Sequence, residues 1–232
     1  MGEATAREFA AAGAHVLVVD LDAAGAERVA GEIGASPAIV GDVGDPEICR
    51  AAVAAALERH GSLDILVNAA GIIVRAAGEE TTDADWRRIM STNLDGVFFM
   101  CREAVKIMKA QGRGAIVNFG SIWGDVGAAG VAAYCATKGG VHQLTRAMAL
   151  DHVNDGIRIN AVCPGEVDTP MLRSGRERPP TEDDMRAIAG TVPMGRLARP
   201  VEIAKVVLFL ASDDASYMTG AMVTVDAGFT AR

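Results

Sequence analysis

Six short runs rich in β-branched residues are separated by longer amphipathic stretches, and this alternation constrains the fold more than any other feature of the chain. The runs are AHVLVVD (14–20), PAIVGD (37–42), LDILVNAAG (63–71), GAIVNFGS (114–121), IRINAVCPG (157–165) and AMVTVDAG (221–228). Helical patterning falls at 3–13, 23–33, 46–60, 83–111, 131–154 and 200–211. Alternation of this kind predicts a single doubly wound α/β domain, a parallel sheet with right-handed crossovers. Local signals agree. Gly13 stands where a left-handed helix cap belongs, and Asp45-Pro46 and Arg199-Pro200 place proline at a first helical position. Half of the 232 residues are hydrophobic and the mean hydropathy is +0.22, which suits a sheet covered on both faces. The one long irregular stretch, 166–199, contains RERPPTEDD and is expected to be a substrate lid.

Composition removes several function classes. Lys plus Arg total 22 against 30 for Asp plus Glu, and a net charge of −8 leaves no basic footprint for nucleic acid. No apolar run reaches the roughly 18 residues that cross a bilayer, and the start lacks the pattern of a signal peptide, so no membrane partner is expected. Cys49, Cys101, Cys135 and Cys163 are scattered, with no CxxC and no Cys/His pair at metal spacing. His15, His60, His142 and His152 form no ligand cluster in the sequence, so no metal is expected. Unpaired thiols of this kind fit a cytoplasmic protein.

Ser121, Tyr134 and Lys138 are the residues best suited to chemistry. Tyr134 and Lys138 stand four apart in YCATK, so a helix projects both from one face. A phenol titrating near pH 10 is a poor acid–base group at pH 7, and a nearby ammonium lowers its pKa. Ser121, at the end of the preceding strand, offers a hydroxyl to a substrate carbonyl or alcohol. Asp20 ends a strand, where an acid accepts hydrogen bonds from adenosine ribose and repels a 2′-phosphate; by itself it reads equally as a turn residue. Asp42 follows the next strand and faces the adenine edge in the same scheme. NAAG (68–71) lets backbone pass close to a ligand, Asn93 lies inside the long 83–111 helix where an amide kinks it and binds a water, and PGEVDTP (164–170) forms a turn.

Together these pieces resemble the short-chain dehydrogenase/reductase family, in its classical branch, from Gly2 to about Phe229. NAAG, Asn93, Ser121, Tyr134-x-x-x-Lys138 and PGEVDTP carry the resemblance by their joint order and spacing, with Ala227 as a departure from the usual DGG ending. The resemblance implies a Rossmann-type fold and an oxidoreductase that interconverts a secondary alcohol and a ketone. Tyr134 would be the general acid/base, Lys138 would hold the nicotinamide ribose and depress the tyrosine's pKa, Ser121 would orient the carbonyl, and Asn93 would anchor a water in a proton relay. Cofactor contacts would come from Gly2, Asp20, Asp42, Val43, Asn68, Ala69, Gly71, Tyr134, Lys138, Pro164, Gly165, Val167 and Thr169. Asp20 followed by Leu21 implies NAD rather than NADP. Ile122, Trp123, Glu166, Met171 and Leu172 would shape the substrate pocket. A homotetramer is implied, with 83–111 and 131–154 as one interface and 200–211 with the last strand as another.

The family begins with a strand and a TGxxxGIG turn. Gly2 occupies the place of that turn's last glycine, so the natural chain is expected to continue upstream, and the chain as written to bind NAD poorly or be unstable. The alternatives are an NADPH-linked 3-oxoacyl-carrier-protein reductase and, from another class, a truncated non-catalytic chain acting only as an oligomer partner.

Overall fold

The computed structural model describes residues 1–176 and 178–231. All six runs of the sequence pattern supply strands, each shorter than its run: β1 (Val19–Asp20), β2 (Ile39–Val40), β3 (Ile65–Asn68), β4 (Gly114–Phe119), β5 (Ile157–Pro164) and β6 (Met222–Val225). The helices are α1 (Gly2–Ala11), α2 (Ala23–Glu32), α3 (Pro46–His60), α4 (Asp83–Met90), α5 (Gly96–Gln111), α6 (Ala132–His152), α7 (Pro170–Arg173), α8 (Glu182–Thr191) and α9 (Pro200–Ala211). All strand pairs are parallel. Asp45 caps α3 through its carboxylate, which accepts the Glu47 N–H at 2.8 Å, and Gly13 adopts φ +88°.

Period-two alternation along the strands feeds two cores. On one face Leu66, Ile116, Ile157 and Ile159 pack against α3, α5 and α6. On the other Val117, Phe119 and Val162 pack against Phe9 of α1 and Ile203, Val207 and Leu210 of α9. Adjacent residues such as Ile116 and Val117 therefore serve opposite layers. Each such fully buried side chain contributes roughly 1.5–3 kcal/mol. The result is the three-layer Rossmann-type arrangement, helices on both faces of a parallel sheet.

The sheet is divided. β1 pairs only with β2, the order β3-β4-β5-β6 makes a separate ladder, and no ladder joins the two among the described residues. The expected strand 14–20 is laddered only at 19–20, because only there does β2 supply a partner. Val16 packs on the α1/α9 face and Val19 on the opposite one, so the segment alternates as a strand does without being paired on its other side.

Two further elements differ from the sequence reading. The helix expected at 83–111 is interrupted by a π-helical turn at Ser91–Asp95, a form frequent at functional sites. The stretch 166–199 is not irregular: it holds α7 and α8, and a parallel bridge between Val167 and Ala198 closes its base.

Candidate active site

Tyr134, Lys138 and Ser121 meet at the C-terminal ends of β4 and β5. α6 presents Tyr134 and Lys138 one turn apart, and the Lys138 Nζ lies 5.7 Å from the centre of the tyrosine ring. All three side chains are buried. Ser121 ends the β4 run and caps a short 3₁₀ turn, its Oγ accepting the Trp123 N–H at 3.2 Å. Lys138 donates to the Phe119 carbonyl at 2.7 Å and has no carboxylate partner among the described residues. Burial is the largest influence on both titrating groups. It pushes Tyr134 up to about 12, with the nearby Ser121 hydroxyl pulling the other way. It brings Lys138 down to about 8. The expected depression of the tyrosine is not seen here: desolvation of the phenolate, with Glu166 and Cys135 acting in the same direction, outweighs the Ser121 hydrogen bond and the charge of Arg75.

Asn93 sits in the π-turn with no exposed surface. Its Oδ1 accepts the Ile72 N–H at 2.8 Å, and its Nδ2 donates to the Ile72 carbonyl at 2.9 Å and to Thr137 Oγ1 at 3.2 Å. The side chain therefore clamps the turn after β3 onto α6 and is not a free amide awaiting a water. Gly71 is drawn into the same corner. A Cβ placed on it would lie 3.4 Å from Asn93 Oδ1 and 3.9 Å from Lys138 Nζ, so the lysine faces bare backbone there.

The sequence showed no ligand cluster, yet folding gathers Asp125, His142 and Cys163 behind Ser121. His142 is fully buried, its Nδ1 is 3.1 Å from Asp125, and its Nε2 lies 3.3 Å from Cys163 Sγ and accepts the Ser121 N–H at 3.4 Å. A Cβ on Gly120 or Gly124 would overlap the imidazole, which is how the ring comes so close to that loop. Asp125 and Cys163 approach opposite nitrogens of one ring, so the three form a hydrogen-bonded row that holds the Ser121 backbone. Burial pushes the His142 pKa down and the Cys163 thiol up to about 12.

The proposed cofactor contacts line the C-terminal edge of the parallel strands, the edge where open α/β sheets bind ligands. Asp20 is exposed at the end of β1, one carboxylate oxygen accepting the Asp22 N–H at 3.0 Å. Asp42 is exposed after β2 and accepts the Gly44 N–H at 2.8 Å. Gly2 opens α1, and a Cβ there would touch Ala69 at 3.4 Å, so the helix N-terminus abuts the NAAG turn. Gly165 donates to Val225 O at 3.0 Å, holding Pro164-Gly165 at the end of the strand, and Thr169 is buried with its hydroxyl on the Val167 carbonyl. Three side chains turn away from this edge. Val43 and Val167 pack in the two cores, which leaves only their backbone to a ligand. Asn68 is buried, its Nδ2 donating to Asn118 Oδ1 at 2.9 Å and to Cys101 Sγ at 3.2 Å. The edge suits an extended nucleotide cofactor: bare backbone at Gly2 and Gly71, exposed acids at Asp20 and Asp42, and a buried ammonium at Lys138.

A cleft of about 290 Å³ opens over Tyr134 and Ser121, walled by Trp123, Glu166, Met171 and Leu172. Trp123 stands edge-on to Phe229, ring centres 5.5 Å apart. Ile122 does not belong to it. Trp123, next in the turn, takes the wall, while Ile122 is 1% exposed and points into the core. Arg75 and Arg176, which carried no recognisable motif, also line the cleft. Among the described residues all four cysteines are free, and no helix is long and apolar enough to cross a membrane.

Comparison with known proteins places this fold. The profile of the family described as Enoyl-(Acyl carrier protein) reductase matches residues 1–230. Galactitol 2-dehydrogenase (L-tagatose-forming) of Cereibacter sphaeroides is 46% identical over 97% of this chain and 88% of its own length. The structure of 3-ketoacyl-(acyl-carrier-protein) reductase from Brucella melitensis complexed with NADH superposes with a TM-score of 0.92 at 37% identity, over 99% of this chain and 93% of that one. A gluconate 5-dehydrogenase from Burkholderia cenocepacia in complex with NADP and tartrate gives 0.91 at 32% identity, over 100% and 91%. With its parallel sheet and helices on both faces, the chain belongs to the short-chain dehydrogenase/reductase family and is an oxidoreductase acting on CH–OH groups.

Proposed function

We propose that the protein is an NAD-dependent dehydrogenase interconverting a secondary alcohol and a ketone through Ser121, Tyr134 and Lys138. The observation that carries this reading is the buried Lys138, an ammonium without an acidic partner among the described residues, one helical turn from a buried phenol and beside the bare backbone of Gly71. Such a cation needs polar acceptors, and ribose hydroxyls supply them. Bound nicotinamide supplies the hydride chemistry. Tyr134 donates a proton to the ketone oxygen or removes one from the alcohol, and Ser121 holds that oxygen by a hydrogen bond. Lys138 holds the ribose and keeps positive charge beside the phenol. Asn93 fixes the Ile72 turn against α6, and any water relay from this position runs through its main chain. Asp20 accepts the adenosine ribose hydroxyls, while Gly2 and the NAAG backbone approach the phosphates. The excursion holding α7 and α8 acts as the substrate lid.

Nicotinamide absorbance with a panel of secondary alcohols tests the proposal directly; no turnover of any of them with either cofactor overturns it. Asp20 decides the cofactor. The protein is expected to favour NAD, and Asp20→Ser to lower the NAD/NADP ratio of kcat/KM by roughly 10–100-fold, the worth of charge-assisted hydrogen bonds plus relief of repulsion. An unchanged ratio removes Asp20 from the site, and a native preference for NADPH favours the 3-oxoacyl reductase reading.

Leu150 and Val153 at the end of α6, and Phe209 on α9, expose apolar surface, which supports homotetramer interfaces on those helices. The free, mostly buried thiols agree with a cytoplasmic setting.

A further inference from the structure

We propose that Arg75 and Arg176 form an anion subsite in the cleft, and that the alcohol oxidised there carries a carboxylate. The inference rests on the dehydrogenase reading and adds the substrate class to it.

The chain has a net charge of −8, yet among the described residues this cleft is lined by two arginines and a single carboxylate, Glu166. Both guanidinium groups are held in place by neutral acceptors. Arg75 Nε donates to the Ser174 carbonyl at 3.0 Å, and one of its terminal nitrogens reaches the carbonyls of Leu172 and Met171 at 3.3 and 3.4 Å. Arg176 Nε donates to the Leu172 carbonyl at 3.0 Å. These bonds fix the two cations on the end of α7 and neutralise neither. Other arginines of the same excursion are paired with acids, Arg178 with Asp184 and Arg196 with Glu202. Arg75 and Arg176 have no carboxylate within ion-pair distance among the described residues. Among the described residues, one terminal nitrogen of Arg75 and both of Arg176 are without a protein acceptor.

Two adjacent cations repel each other unless an anion bridges them. That proximity shows in Arg75, whose pKa is lowered by burial and then by Arg176. Glu166 is a weak competitor for them, because burial pushes its carboxyl toward the neutral form despite both arginines. A planar carboxylate matches the open guanidinium fork, and a cleft of about 290 Å³ is at the small end for ligand sites. Arg75 and Glu166 also act electrostatically on Tyr134, so an anion held here lies in reach of the reacting oxygen's field. Anchored at one end on the arginines, a hydroxy acid presents its alcohol carbon to Tyr134 and Ser121.

The test compares 4-hydroxypentanoate with 4-hydroxypentanamide as substrates for the NAD-loaded protein, in parallel with NMR titration of the unreactive pair pentanoate and pentanamide. The carboxylate is expected to exceed the amide about tenfold or more, in kcat/KM and in binding. Arg176→Gln should remove that ratio, and Arg176→Lys should restore part of it by returning the charge. A ratio near one in the native protein overturns the subsite, as does a native ratio that Arg176→Gln leaves intact. If neither alcohol reduces NAD, the dehydrogenase reading fails for this pair. The titration then still decides the subsite, since pentanoate bound no tighter than pentanamide refutes it.

Discussion

Tyr134→Phe is expected to lower kcat about 10³-fold in both directions, within the roughly 10²–10⁴ that a positioned general acid or base contributes. The substitution removes one hydroxyl from a ring that is 8% exposed and keeps its packing against Val74, Ile89 and Val131. The melting temperature should therefore shift by no more than a few degrees. The pH profile supplies the signature. Burial holds the phenol neutral well above pH 7, the form that donates to a ketone. Oxidation needs the phenolate, so its kcat/KM rises with pH below the phenol's pKa, whereas reduction does not. Lys138 loses its charge as pH rises through about 8, so cofactor binding weakens across that range in both directions and limits the rise in oxidation. Steady-state kinetics from pH 6 to 9 check this, and a Tyr134→Phe variant that retains more than a tenth of native kcat overturns the assignment.

Asn118→Leu is expected to cost about 2–4 kcal/mol of stability, because it strands a buried donor. Asn118 is fully buried on β4, in register with Asn68 on β3. Its Oδ1 accepts from Asn68 and its Nδ2 donates to Thr145 Oγ1, each at 2.9 Å. Leucine fills a similar volume but leaves the Asn68 amide with only the Cys101 sulfur, a weak acceptor. For a chain of this size the loss corresponds to a melting temperature lower by roughly 5–15 °C. The same row ties β3, β4 and α6 together just beneath the active site, so activity should fall with stability. Thermal denaturation decides it: a loss below about 1 kcal/mol means that the pair contributes little. Replacing both asparagines should then cost less than the sum of the single changes, since neither is left stranded.

The sequence pattern carried the architecture because its signals are local. Strand–helix alternation, Asp45-Pro46, Gly13 and the four-residue spacing of Tyr134 and Lys138 each depend on a few neighbours along the chain. The Ser121–Tyr134–Lys138 site was legible for the same reason, as one helical repeat and one strand end. Family resemblance added the order of the remaining motifs. Local patterns were silent on which of two adjacent residues faces a cleft. Ile122 and Trp123 are both large and apolar, and only the short 3₁₀ turn after Ser121 sends one into the core and the other to the wall.

By itself, then, the sequence determined the Rossmann-type layers and the placing of Tyr134 and Lys138 on one helical face, since hydrophobic period and helical repeat follow from backbone geometry. Tertiary structure alone decided which long-range groups meet and how they titrate. His142 joins Asp125 and Cys163 behind Ser121 across 17 and 21 residues of chain. Arg75 crosses 99 residues of chain to reach the Ser174 carbonyl at the end of α7. The tyrosine's pKa moves up where the four-residue spacing to Lys138 led to the expectation of down, because burial is its largest influence and depends on everything packed around it.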